Sequence, residues 1–179
     1  VIANGQAYFA IQTRRQELAD DAQFARLSED DKRLAIRNEL TSHNKHLAAA
    51  ARDAGVDTPL DYAIFQDHGY KGLYGGLGAK DIHAHKGLKK SQKILDHMGS
   101  TELAANLFRA TQAEEKLKRD NVRGKTQANQ THFDVGRKVR QTIKDLGGTM
   151  PEHLPVPGKS IRQLESDKRK QLKKTDKAP

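Results

Sequence analysis

The sequence predicts an all-α fold, an irregular bundle of about five to seven helices with a glycine-rich bend and a basic tail. Three observations predict it. Apolar residues recur at spacings of three and four, helix-start and helix-stop residues fall between those stripes, and no segment alternates convincingly as a strand would. With 35% hydrophobic and 31% charged residues in 179, the apolar supply is lean, so the core should be modest with solvated arms.

Residues 1–27 read as a first helix, with Tyr8, Ile11, Leu18, Ala22 and Ala25 on one stripe. Because Val1 already lies inside that pattern, the N-terminus reads as truncated, and neither region of a signal peptide is present. Ser28, with Asp31 three residues on, is an N-cap for a second helix that carries Ile36, Leu40, His43, Leu47, Ala50 and Ala54, and Gly55 stops it. Thr58-Pro59 opens a short helix over 60–65. The glycines at 69, 72, 75, 76 and 78 each cost about 1 kcal/mol in a helix, so a bend or a tight helix contact belongs there. Short helical pieces follow near 79–86 and 91–98. Ser100-Thr101 caps a helix over about 102–122, and another over about 126–146 should bury Phe133, Val135, Val139, Ile143 and Leu146. These elements make a helical domain over 1–148. Pro151, Pro155 and Pro157 mark a linker over 149–158, and residues 159–179 form a basic tail, mobile or weakly helical.

Several chemistries find no support. There is no Cys, which excludes disulfides, Cys-ligated zinc and thiol nucleophiles. The glycine run lacks the Gly-Lys-Ser/Thr ending of a phosphate loop, and Gly124-Lys125-Thr126 lacks its upstream glycine. His43 and His46 lie one helical turn apart and His83 and His85 are separated by one residue, but no carboxylate motif supplies a third ligand. His43 on the apolar stripe therefore reads as a satisfied core histidine. No catalytic residue, metal ligand or cofactor is expected, and the chain is not expected to be an enzyme. No run approaches the roughly 20 apolar residues that cross a bilayer, and a cytoplasmic location is expected.

Charge points elsewhere. Residues 1–70 carry a net −3 and residues 71–179 a net +12. Such asymmetry suits a polyanionic partner, nucleic acid first. Lys71, Lys80, Lys86, Lys89, Lys90 and Lys93 face only Asp81 within residues 71–95. A second cluster is Lys118, Arg119, Arg123 and Lys125, beside Lys116, and a third is Arg137, Lys138 and Arg140. These residues are the candidate nucleic-acid or partner contacts. Tyr70 and Tyr74 lie beside the first cluster but read as core. The bland alternative is that all these cations only solvate helix faces.

Longer strings are more specific: Lys32-Arg33-Leu34-Ala35-Ile36-Arg37-Asn38-Glu39, Asp61-Tyr62-Ala63-Ile64-Phe65-Gln66, the segment from Gly69 to His83, and above all the segment from Ile94 through Asp96-His97-Met98-Gly99 to Leu117. Together they resemble the bacterial DNA-damage-inducible protein D family, over residues 1 to about 157. The resemblance implies induction in the SOS response and an N-terminal BRO-like DNA-binding-type domain, of which this chain would begin at the last helix. It also implies a partner, the RecA recombinase on single-stranded DNA, and no catalytic residues. The expected function is thus modulation of RecA–single-stranded DNA filaments in recombination and repair. The alternative is non-specific nucleic-acid binding without a protein partner.

Overall fold

The computed structural model describes residues 27–175, and all but the last residue of the helix expected over 1–27 lies outside them. The described residues form six α-helices, two 3-10 turns and no strand. The helices are α1 (Glu29–Asp53), α2 (Pro59–Leu73), α3 (Ala79–His85), α4 (Ser100–Arg119), α5 (Lys125–Asp145) and α6 (Ile161–Thr175). The 3-10 turns span Ile94–His97 and Pro151–His153. The irregular all-helical bundle is the expected one, and among these residues no helix is long and apolar enough to cross a membrane.

Local signals set most boundaries. Ser28 caps α1 by accepting the Asp31 amide at 3.2 Å, while its hydroxyl donates to the Asp31 carboxylate at 2.7 Å. Gly55, at φ +97°, closes the helix, with the Val56 amide bonded to the Ala51 carbonyl at 3.0 Å. Helix α4 is capped differently from expectation. It begins at Ser100, and Glu29 of α1 takes both the Ser100 amide and its hydroxyl at 2.8 Å. A carboxylate at a helix N-terminus satisfies orphan amides and favours the dipole, even when it arrives from a distant part of the chain.

Two helix pairs carry the packing. Helix α1 lies along α4, α2 lies along α5, and α4 touches α5. Leu40, Leu47, Phe65, Leu73, Ile82, Met98, Leu103 and Ala110 are sealed between them. Helix α2 continues through Gly69 and Gly72 as far as Leu73, past the expected end at 65, because those glycines let α5 approach. The bend follows at Gly75 and Gly76, both at positive φ. Of the five apolar residues expected inside, α5 buries Val135 and Val139. Phe133 and Ile143 are half-buried, and Leu146, expected inside, is 40% exposed because it lies past the end of α5, where no helix covers it.

Residues 161–175 of the basic tail are helical, as α6. Its first turn is anchored, with Ile161 and Leu164 packing on Leu34 of α1 in a small second core. Arg33, 1% exposed, reinforces that corner by donating to the carbonyls of Met98 (2.9 Å), Asp96 (3.3 Å) and Lys159 (2.8 Å). Two apolar residues in a lysine-rich stretch are enough to dock it when their helical spacing puts them on one face.

Candidate nucleic-acid and partner interface

Apart from Lys71, in the last turn of α2, the first lysine cluster sits on α3 and the segment after it. Gly78 precedes α3, the Asp81 carboxylate accepts the Gly78 amide at 2.9 Å, and Asp67 accepts the Ala79 amide at 2.8 Å. The segment that follows is pinned by His83, whose Nε2 lies 3.1 Å from the carbonyls of both Lys89 and Gln92. His85 reaches the Glu152 carbonyl at 2.8 Å. Both histidines thus have backbone partners, which the sequence did not suggest. Lys80, Lys89, Lys90 and Lys93 are exposed, whereas Lys71 is ion-paired with Asp67 at 2.8 Å.

Lys86 does not belong to that surface. Its side chain is 4% exposed and its ammonium lies 2.8 Å from Glu102, which is wholly buried. Sequence offered no sign that one lysine of six would turn inward. Tyr70 and Tyr74 are buried too, so neither is presented for stacking on a base.

Helix α5 supplies the second surface. Arg137, Arg140, Gln141, Lys144 and Met150 line a concavity of about 320 Å³. Lys138, on the same helix, is exposed. Arg140 makes a bidentate ion pair with Glu152 at 2.7 and 2.8 Å and also donates to the Leu73 carbonyl. Arg137 is paired with Asp134 at 3.4 Å. Lys144 and Gln141 were missed as candidates, although the spacing 137, 140, 141, 144 is that of one helix face. Because His85 and Arg140 hold the same residue, Glu152, the end of α3 and this α5 face adjoin one another.

The remaining cluster lies at the α4–α5 turn and is largely neutralised within itself. Lys118 pairs with Glu114 (2.6 Å), Arg119 with Glu115 (2.9 Å) and Asp120 (3.2 Å), and Lys125 with Asp61 (3.2 Å). Arg123 donates to the Asp53 carbonyl at 2.6 Å, tying this turn to the end of α1. Surface pairs of this kind contribute at most about 1 kcal/mol each, so they can exchange carboxylate for phosphate at small cost.

Beneath these surfaces runs a buried polar chain. Lys86 meets Glu102, Tyr74 donates to Glu102 (2.8 Å), Asn106 donates to Tyr74 (2.9 Å), and Arg109 donates to Asn106 (3.3 Å) and to His132. Arg109 also lies 4.8 Å from the Tyr70 ring centre. Since an arginine can only donate, His132 Nε2 accepts, which leaves the proton on Nδ1 to donate to the Phe65 carbonyl at 2.9 Å. Burial, and then the Arg109 charge, hold His132 well below the usual histidine range. It stays neutral when folded and takes up a proton when unfolded below about pH 6.5. Stability is therefore full above that pH and falls as pH drops towards the folded value. His97 is shifted the same way by burial. Urea midpoints across pH 7.5 to about 5 should fall in the native chain, with a slope of up to about 1.4 kcal/mol per pH unit from His132, and His132→Asn should remove that share. An unchanged slope in the variant would contradict the assignment.

Comparison with known proteins agrees with the strings quoted above. The profile of the DinD C-terminal domain matches residues 27–164. DNA damage-inducible protein D of Escherichia coli (strain K12) is 74% identical over 166 residues, an alignment that covers 93% of this chain and 61% of that protein. The chain thus spans about three-fifths of that relative's length. No solved structure matches it.

Proposed function

We propose, from the premise that this chain belongs to the DinD C-terminal domain family, that it serves the DNA-damage response as a binding module that engages RecA–single-stranded DNA filaments and modulates them. One observation carries the reading: two lysine- and arginine-bearing surfaces, the α3 segment and the α5 face, adjoin one another where His85 and Arg140 both hold Glu152. A filament presents phosphates together with a protein surface, so salt-sensitive contacts and shape-specific ones can act at once.

Lys89→Glu/Lys90→Glu/Lys93→Glu is expected to leave the melting temperature unchanged, because these side chains are exposed. It should weaken filament binding by at least about tenfold at low salt and reduce the salt slope by roughly three. Equal loss on bare single-stranded DNA and on filaments would favour plain nucleic-acid binding without a protein partner. Binding that ignores both the reversal and the salt would refute the proposed surface.

A further inference from the structure

Helix α1 carries Glu39, His43 and His46 at successive spacings of four and three, which align on one face of a helix. The α1–α4 packing then brings Glu114 against that face. One ligand atom from each of His43, His46 and Glu114 lies within 4.8 Å of the others. Three atoms so placed can share a central ion after side-chain shifts of under about 1 Å each, reaching the ~2.0–2.2 Å typical of zinc with nitrogen and oxygen. Sequence spacing offered only the two histidines, and the missing third ligand comes from another helix.

His43 was expected to be a satisfied core histidine. Its side chain is instead 30% exposed, and its Nδ1 is buried with no hydrogen-bond partner, 3.8 Å from Glu114 Oε2. The opposite nitrogen, Nε2, faces Glu39 at 3.9 Å. That is the polarity a metal-binding imidazole requires, one nitrogen open to the ion and the other beside a carboxylate that can accept its N–H. The His46 ring stands edge-on to His43 with centres 5.8 Å apart. Lys118 holds the other Glu114 oxygen, Oε1, at 2.6 Å, which turns Oε2 towards the histidines. The neighbouring ammonium repels a cation and limits the affinity.

We propose that His43, His46 and Glu114 form a binding site for one divalent transition-metal ion of the zinc class, with Glu39 orienting His43. Two imidazoles and one carboxylate suit zinc or cobalt rather than magnesium or calcium, which prefer all-oxygen shells. A coordination position remains open to water, and the bound ion ties α1 to α4.

The test uses the full chain, freed of metal with chelator and titrated with zinc chloride by calorimetry. Cobalt(II) serves as an absorbing stand-in. The site predicts one ion per chain with micromolar or tighter affinity, a visible cobalt band, and a melting temperature that rises with zinc. His46→Gln and Glu114→Gln, both outside the core, should each lower the affinity by at least about tenfold, and Glu39→Gln by less. Circular dichroism confirms that each variant is folded. No binding at micromolar zinc would overturn the proposal. So would binding that His46→Gln and Glu114→Gln leave unchanged, which would place the ion on other histidines.

Discussion

Lys86→Met is expected to cost the fold about 3–5 kcal/mol, the usual penalty when one member of a buried ion pair is removed. Met matches the lysine stem, so lost packing contributes little and the result reports on the charge. Glu102 would remain fully buried with only Tyr74 donating to its carboxylate. Burial already raises its pKa above the ordinary carboxylate value, and Lys86 is the larger of the influences opposing that. Without Lys86 the folded value rises further. A carboxylic acid with a raised folded pKa binds its proton more tightly folded than unfolded, so stability falls as pH rises through the window above about 4.5. The defect should therefore be larger at about pH 8 than at about pH 5 in urea titrations. Adding Glu102→Gln removes the stranded charge and should restore at least about half of the loss. A Lys86→Met protein as stable as its parent at pH 8 would mean that the pair is open to water. Any loss of nucleic-acid binding in Lys86 variants is on this account a loss of fold, unlike that of Lys89, Lys90 and Lys93.

The contrast between those lysines shows what could be read in the sequence. The α1 stripe, the Ser28 cap and the Gly55 stop depend on residues within one or two turns, and local pattern found them. The elements that failed depend on distant partners. Ser100 is capped by Glu29 from across the bundle, Lys86 turns inward to Glu102, and Glu114 meets His43 only because α1 and α4 pack together. Nothing in a lysine-rich segment distinguishes the residue that finds a buried carboxylate from its solvated neighbours. Leu146 shows the converse, since a helical stripe predicts a face but not whether another helix arrives to cover it. The lysine and arginine clusters were legible as charge. That the α3 segment adjoins the α5 face was not, because it depends on Glu152 being held by both His85 and Arg140.

Gly136→Ala sets helix propensity against packing with opposite signs. In the middle of α5, alanine should stabilise by about 1 kcal/mol on propensity alone. A Cβ at this position, however, would lie 2.6 Å from the Gly69 carbonyl oxygen, 2.9 Å from the Leu73 nitrogen and 3.2 Å from the Gly72 carbonyl carbon. All three are backbone atoms of α2, so no side chain can swing aside and the helices must separate. Separation strains what lies between them: the Phe65 ring 4.2 Å from His132, the His132 bond to the Phe65 carbonyl, and the Arg140 bond to the Leu73 carbonyl at 3.1 Å. Overpacking commonly costs about 1–3 kcal/mol, and a clash with rigid backbone belongs at or above the top of that range. The net expectation is destabilisation by about 2 kcal/mol or more, read as a lower urea midpoint. Gly158→Ala is the control, because a Cβ there meets nothing within 4 Å and should be neutral. If Gly136→Ala instead stabilised the chain, α2 and α5 could not be in backbone contact, and the continuation of α2 past Gly69 and Gly72 would lose its explanation.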